Sequence, residues 1–245
     1  MDRQVTCIRG RTSDRTAGAG AGAEALARAL DGAVAGEPGE PAVRDWSEDL
    51  PAARPVLEAA AAAVRDALDA GALPVLTASD CSICIATLPE VVLHEPDVHI
   101  AWIDAHGDFN TPPTTPSGFL GGMCLAAACG RWDADGWPGT VDPERVHLLG
   151  VRDLDPGEER EVEAAGLSAE IPDGVPLYVH LDTDVLDPSV MAAQFPVPDG
   201  WDARRLRAQL AELAAGCRIV GVEITALEDL GAVELVREAI APLLD

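Results

Sequence analysis

The sequence predicts an α/β protein with a mostly parallel sheet, on the basis of two observations. Short apolar runs rich in β-branched residues alternate along the chain with longer segments rich in Ala and Leu. This alternation is typical of right-handed βαβ units, in which helices cover the faces of a parallel sheet. In addition, no linker or break in composition divides the chain, so we expect a single domain over residues 1–245.

Six strands and six helices are predicted from these runs. The strands are Val5–Arg9, Leu73–Thr77, Val98–Asp104, Arg145–Val151, Leu177–Asp182 and Arg218–Ile224. The helices are Ala23–Leu30, Ala52–Ala70, Gly122–Cys129, Glu158–Ala165, Ala203–Ala215 and Ala232–Leu244. Hydrophobic residues make up 48% of the chain, which is ample for one core, but only 4% of residues are aromatic. Aliphatic side chains must therefore fill that core.

The charge of the chain excludes two classes of partner. Asp and Glu number 42 against 17 basic residues, a net charge of −25. Nucleic-acid binding requires clustered positive charge, and an anionic membrane surface would repel this chain. The start lacks a signal sequence, and no apolar run approaches the roughly 18 residues of a membrane span. We therefore expect a cytoplasmic protein with reduced thiols.

Acidic side chains follow two of the predicted strands, at the edge where open parallel sheets bind ligands. Asp104, His106 and Asp108 occupy alternate positions, so in extended chain they point to one side. Asp182 and Asp184 repeat this spacing after a later strand. Either motif alone could be a solvated turn. Four crowded carboxylates would repel one another, however, and a pair of divalent cations such as manganese removes that cost.

These motifs resemble those of the arginase (ureohydrolase) family. The similar stretches are residues 104–118, 150–158, 180–188 and 221–223, in the family's order. The resemblance implies a three-layer α/β sandwich with a central, mostly parallel, eight-stranded sheet. It also implies two Mn²⁺ ions that activate water for attack on a guanidino-type carbon.

The resemblance further implies roles for the individual metal ligands. Asp104 and Asp182 would each bridge both ions. Asp108 would complete the coordination of one ion. His106 and Asp184 would complete that of the other.

The resemblance also implies an amino-acid substrate. In arginases, the residues that match Asn110 and Ser117 bind the α-carboxylate of the substrate. The residue that matches Asp155 binds its α-ammonium group. Because all three residue types are present, an α-amino acid is favoured over a decarboxylated amine such as agmatine.

Cys81 is the first departure from the family pattern. It stands where the family has a metal-binding His, so we expect it to be a sixth ligand, although a thiolate is softer than manganese prefers. A buried, inert cysteine is the alternative. Cys81 and Cys84 also form a CxxC pair, which could be a redox pair or half of a zinc site, but no second CxxC accompanies it.

The other departures lie at the substrate. Phe119 replaces a carboxylate-binding Asn, and Gly121 replaces a His that shuttles protons, a loss typically worth a factor of about 10² to 10⁴. A protonated Asp108 is the alternative proton donor to the leaving amine. Ala226 replaces the Glu that pairs with the guanidinium group, so we name two other carboxylates as candidate catalytic residues: Glu223 and Glu228.

A substrate less basic than arginine needs less charge pairing. The departures therefore favour Nω-hydroxy-L-arginine, cleaved to hydroxyurea and L-ornithine, and the pattern resembles family members with that specificity. Two alternatives stay open. One is a family hydrolase of arginine, a guanidino acid or a formimidoyl amino acid; the other is a metal-binding homologue without catalysis. Since no long tail follows the last predicted helix, we expect a monomer.

Overall fold

Seven parallel strands form the centre of the fold, in a computed structural model that describes residues 2–36, 44–134, 136–137 and 139–244. The predicted domain, 1–245, thus includes positions outside the described residues. The strands are β1 (Arg3–Ile8), β2 (Ala33–Ala35), β3 (Leu73–Ala78), β4 (His99–Ile103), β5 (Val146–Leu149), β6 (Pro176–Asp182) and β7 (Arg218–Thr225). The helices are α1 (Gly18–Ala29), α2 (Trp46–Asp69), α3 (Cys84–His94), α4 (Cys124–Ala128), α5 (Pro156–Ala165), α6 (Ala203–Gly216) and α7 (Val233–Leu244).

The strands lie in the order β2-β1-β3-β7-β6-β4-β5, and every neighbouring pair is parallel. The α/β class and the parallel sheet are therefore confirmed. The expected count of eight strands is not reached, because the described residues form seven. Within the same part of the chain, no helix has both the length and the apolar character needed to cross a membrane.

Helices cover both faces of the sheet, which gives three layers. One core lies between the sheet and α2, α3 and α4, and contains Leu57, Leu88 and Trp102. The second lies between the sheet and α1, α6 and α7, and contains Leu26 and Leu210. Because both faces are buried, the strands are apolar on both sides, as is usual for parallel sheets.

Each predicted strand and helix has a counterpart, but two elements were missed. The strand β2 has only three residues, too few to show a periodic pattern. The helix α3 has Pro89 in its interior, and all its residues from Cys84 to Val91 are buried. It therefore lacks the one-sided apolar stripe by which a surface helix is recognised.

The register of the central strands arranges side chains in rows across the sheet. Trp102 of β4 pairs with His180 of β6, and His180 pairs with Glu223 of β7. At the carboxyl edge, Asp182 pairs with Thr225. Since side chains on one face of a strand recur every second residue, the Trp102–His180–Glu223 row lies one step below the edge row.

Candidate metal centre

A cavity of about 360 Å³ opens at the carboxyl ends of the four adjacent strands β3, β7, β6 and β4. Its walls bring together residues that are far apart in the sequence. The predicted site residues that line it are Cys81, Asp104, His106, Asp108, Asn110, Ser117, Asp155, Asp182, Asp184 and Glu228. Glu223 is not part of this lining.

Two groups of side chains offer metal ligands at short range. In one group, Nδ1 of His106 lies 3.3 Å from Oδ1 of Asp104 and 3.2 Å from Oδ2 of Asp184. In the other group, Cys81 and His180 join Asp104. Within each group, the ligand atoms all lie within 4.8 Å of one another. Asp104 belongs to both groups, as a residue that bridges two ions would.

Local backbone structure holds the aspartates in place. Oδ1 of Asp104 accepts a hydrogen bond of 2.7 Å from the backbone N–H of His106. Oδ1 of Asp182 accepts a bond of the same length from the N–H of Asp184. Both are local turns that Asp side chains favour. Asp108 has a φ of 50°, a left-handed conformation that Asp tolerates better than most residues.

The site concentrates buried negative charge. Burial raises the pKa of Asp108 and of Asp182 well above the ordinary value, and neighbouring carboxylates add to both shifts. Burial lowers the pKa of His106, but its hydrogen bonds to Asp104 and Asp184 outweigh this effect and raise that pKa to about 12. The imidazole of His106 thus offsets part of the repulsion between the carboxylates.

Cys81 lies directly after β3, in a short 3₁₀ turn, and its thiol points into the aspartate cluster. Its Sγ is 2.8 Å from Oδ2 of Asp182 and 3.0 Å from Oγ1 of Thr225. Nε2 of His180 lies 3.3 Å from the same sulfur. Burial and the nearby carboxylates raise the pKa of the Cys81 thiol well above its ordinary value. A divalent cation at this position would reverse that effect, because metals deprotonate a thiol that they bind.

Glu223 lies beneath the cavity rather than on its wall, which corrects its assignment as a catalytic residue. The strand β7 continues to Thr225, so Glu223 falls one row below the edge. Its Oε1 lies 2.6 Å from Nδ1 of His180, and its Oε2 accepts hydrogen bonds from the hydroxyls of Thr87 and Tyr178. Glu223 therefore orients His180, whose other nitrogen faces Cys81.

His180 contributes to the site, although the sequence pattern pointed only to the two aspartates that follow it, Asp182 and Asp184. Its ring is fully buried and stacks on Trp102, with ring centroids 3.6 Å apart and an interplanar angle of 2°. Because the Glu223 carboxylate accepts from Nδ1, a neutral His180 presents Nε2 to Cys81 as an acceptor. This row fixes the position of the thiol.

Replacement of Glu223 by alanine is expected to destabilise the protein by about 3 kcal/mol or more, because it leaves three buried donors without an acceptor, at about 1–3 kcal/mol each. Urea unfolding of the metal-free protein measures this loss. Glu223→Gln keeps one acceptor oxygen, so this variant should lose less free energy of unfolding than Glu223→Ala. A loss below about 1 kcal/mol for Glu223→Ala would contradict the orienting role.

The polar end of the cavity contains the predicted substrate-binding residues. Nδ2 of Asn110 donates a 3.0 Å hydrogen bond to Oδ2 of Asp155, while Oδ1 of Asn110 is buried without a hydrogen-bond partner. Ser117 is exposed, and its hydroxyl accepts from the N–H of Phe119. This end therefore offers free acceptor atoms, which suit an ammonium group.

Glu158 also lines the cavity, and the sequence analysis missed it. Its side chain accepts hydrogen bonds from the N–H groups of Phe109 and Asp155. Burial raises its pKa to about 7. The signal for it was available, because Asp155 and Glu158 form the capping box of α5.

Two phenylalanines form the rim of the cavity. The rings of Phe119 and Phe195 lie 5.0 Å apart, and Phe195 also packs edge-on to His106. The guanidinium of Arg15 lies over Phe119, 5.1 Å from the ring centroid. Phe195, Arg15 and the adjacent Gln194 carry no sequence motif, and only the fold brings them to this rim.

Ala226 and Glu228 follow β7, which ends at Thr225. Ala226 has a φ of 58°, and its methyl group faces the cavity without a charge. Glu228 lines the cavity, and its Oε1 accepts a hydrogen bond from the hydroxyl of Thr16. One oxygen of this candidate carboxylate is therefore already engaged.

Comparison with known proteins assigns this fold and site. Residues 10–229 match the Arginase family. The chain belongs to the arginase family. It is 39% identical to the N(omega)-hydroxy-L-arginine amidinohydrolase of Streptomyces lavendulae, over 96% of this chain and 92% of that protein. It is 37% identical to the arginase of Bacillus caldovelox, over 54% of this chain and 53% of that protein.

Solved structures of the arginase family share the whole fold. The structure of arginase from Bacillus caldovelox matches with a TM-score of 0.81 and 26% identity, covering 98% of this chain and 99% of that one. Proclavaminate amidino hydrolase from Streptomyces clavuligerus matches with a TM-score of 0.74 at 17% identity, and this match shows the fold alone.

The donor set of this arginase-family chain fits two divalent cations. Asp104, Asp108, Asp182 and Asp184 are each at most 7% exposed, so their mutual repulsion is little screened by water. The carboxylate oxygens and the imidazole of His106 suit manganese. Among the described residues that line the cavity, Cys81 is the one soft ligand candidate, and it lies against Asp182, where it could complete one ion.

Proposed function

We propose that this chain uses two Mn²⁺ ions to hydrolyse Nω-hydroxy-L-arginine to hydroxyurea and L-ornithine. The observation that carries this proposal is the uncharged side chain of Ala226 at the position of the family's guanidinium-pairing Glu, in a cavity that keeps the complete set of candidate ligands. A hydroxyguanidine is less basic than a guanidine and can bind in its neutral form. The full-length similarity to a relative named for this activity also supports the proposal.

When bound, the metal ions lower the pKa of a water molecule, so that a nucleophile is available at neutral pH. In the proposed arrangement, Asp155 binds the α-ammonium group of the substrate, and Asn110 and Ser117 lie beside it for the α-carboxylate. Phe119 and Phe195 restrict the access of bulk water at the rim. Asp108, held deep in the cavity, donates a proton to the leaving amine nitrogen of ornithine, a task for which the family's His is absent at Gly121.

Turnover by the manganese-loaded protein tests this proposal. We expect ornithine release from Nω-hydroxy-L-arginine at a kcat/KM at least about tenfold above that for L-arginine, since each missing charge pair costs on the order of 1.4 kcal/mol or more. We expect no putrescine release from agmatine. Protein treated with EDTA is the control. If the protein with two ions bound turns over none of the three substrates, the proposal is refuted.

Arginine is the second candidate substrate, because Glu228 lies on the cavity wall near Ala226. Its free oxygen could pair with a guanidinium group. A Glu228→Gln variant separates the two substrates. If arginine is the substrate, this variant should lose most of its activity, whereas hydrolysis of the neutral hydroxyguanidine should change much less.

The replacements at Phe119 and Gly121 depend on each other. A side chain at Gly121 would place its Cβ 2.7 Å from Cζ of Phe119. The Phe119 ring cannot move freely, because it packs between Arg15 and Phe195. A His at position 121 is therefore accommodated better beside a smaller residue at position 119.

We expect Gly121→His alone to destabilise the protein by about 1–3 kcal/mol, the usual range for overpacking. The double variant Phe119→Asn, Gly121→His should recover most of that loss. Urea unfolding of the wild type, both single variants and the double variant gives the coupling energy. A coupling below about 0.5 kcal/mol would show that the two positions are independent.

A further inference from the structure

Arg15 is an unusual residue in this cavity because it is positively charged. Of the described residues that line the cavity, nine are acidic, and only Arg15 and His106 are basic. His106 is held between Asp104 and Asp184. Arg15 is half-buried, and among the described residues no carboxylate lies within ion-pair distance of it. Its positive charge is therefore available to a ligand.

The backbone around Arg15 is held in place. The N–H groups of Arg15 and Thr16 both donate to Oε1 of Gln194, at 2.8 and 3.0 Å. The guanidinium rests over the ring of Phe119, which itself packs on Phe195. A guanidinium that rests on an aromatic ring loses little conformational freedom when it binds a ligand. Its N–H groups lie in the plane of the guanidinium and stay free to donate hydrogen bonds.

Apart from Arg15, the described residues of the cavity offer the α-carboxylate of an amino acid no positively charged partner, because His106 is held by Asp104 and Asp184. The amide of Asn110 already donates to Asp155, and its free Oδ1 is an acceptor. The hydroxyl of Ser117 is a single weak donor. A second Asn that the family resemblance assigns to this carboxylate is Phe119 here, and the guanidinium of Arg15 lies over that ring.

We propose that Arg15 supplies the positively charged partner of the substrate's α-carboxylate, in the same cavity in which Asp155 binds the α-ammonium group. This inference rests on the amino-acid substrate class of the proposed function. A guanidinium can bind a carboxylate with two parallel hydrogen bonds, which also fixes its orientation. Amines that lack a carboxylate would be rejected at this point, because the charge of Arg15 would then be left unpaired.

A purely structural role for Arg15 is the competing explanation. Asp49 on α2 is fully buried, and neither of its carboxylate oxygens has a hydrogen-bond partner. Burial raises the pKa of Asp49, and the positive charge of Arg15 opposes that shift. If this interaction were the only role of Arg15, its loss would change folding stability but would not discriminate between ligands.

Calorimetric titration of the manganese-loaded protein with L-ornithine and with putrescine separates the two explanations. These diamines differ only in the carboxylate. Arg15→Gln is expected to weaken ornithine binding by about 10- to 100-fold, the usual effect of a charged hydrogen-bonding partner. Putrescine binding should change less than about twofold. Arg131→Gln, which removes an exposed arginine paired with Glu161, should change neither affinity.

Arg15→Lys keeps the charge but removes the planar fork, so we expect an intermediate loss for ornithine. This variant also provides a measurement if Arg15→Gln does not fold. Equal effects on both ligands, no effect on ornithine, or wild-type protein that binds ornithine no better than putrescine would each overturn the inference. If ornithine binding depends on Arg15 but Nω-hydroxy-L-arginine is not hydrolysed, the proposed function fails and the inference stands.

Discussion

Replacement of Asp104 by asparagine is expected to remove both metal ions and to lower kcat/KM by about 10³-fold or more. Asp104 is the one residue that belongs to both groups of ligand atoms. Loss of its negative charge therefore weakens the binding of both ions. Metal-ion catalysis supplies several kcal/mol of transition-state stabilisation, and about 4 kcal/mol corresponds to this factor.

Metal analysis and thermal unfolding test this prediction without relying on activity. Manganese stabilises the folded wild type by about 4 kcal/mol at a concentration 1,000 times its Kd, and Asp104→Asn should lose most of that stabilisation. Asp153→Asn is the matched control, because Asp153 is an exposed acid on the cavity wall outside the candidate ligand set. It should keep both ions. Two ions retained by Asp104→Asn would contradict the bridging role.

Replacement of Cys81 by alanine should lower the manganese content from two ions towards one. The sulfur lies 2.8 Å from Asp182 and within 4.8 Å of the ligand atoms of Asp104 and His180. Its loss removes a ligand from only one of the two ions, so the other ion keeps its carboxylates. Loss of a residue that only orients a metal ligand typically lowers metal affinity or activity by about 10- to 100-fold, and loss of the ligand itself should lower it more. We therefore expect activity to fall by a factor of about 10² or more.

Cobalt substitution gives an independent readout for Cys81, because a thiolate bound to cobalt absorbs in the near ultraviolet. This absorption should be present in the wild type and absent in Cys81→Ala. Cys84→Ala is the matched control, since Cys84 is also fully buried but does not line the cavity. Unchanged metal stoichiometry in Cys81→Ala would show that the thiol is not a ligand.

The sequence could predict those features of the site that depend on short spacing. Asp104, His106 and Asp108 are neighbours in the chain, and the apolar runs before them identify the strand ends. In a parallel sheet, strand ends meet at one edge, so the convergence with Asp182 and Asp184 followed from topology alone. The cavity of the structure contains all five.

Features that depend on strand length and long-range packing could not be predicted in this way. The predicted strand ended at Ile224, one residue before the observed end of β7. The sequence therefore did not show that Glu223 lies below the sheet edge, where it contacts His180. Arg15 is separated from Phe119 by about a hundred residues and has no motif. Arg15 lies beside Phe119 because the sheet places the loop after β1 next to the loop after β4, a contact that only the folded structure shows.

The contact between Phe119 and Gly121 has a consequence for engineering. A side chain at position 121 overlaps the Phe119 ring, so the cost of a His at position 121 depends on which residue occupies position 119. A single substitution at Gly121 therefore carries a stability cost that a paired substitution at Phe119 relieves. A library that seeks arginine-hydrolysing variants of this chain should therefore randomise positions 119 and 121 together.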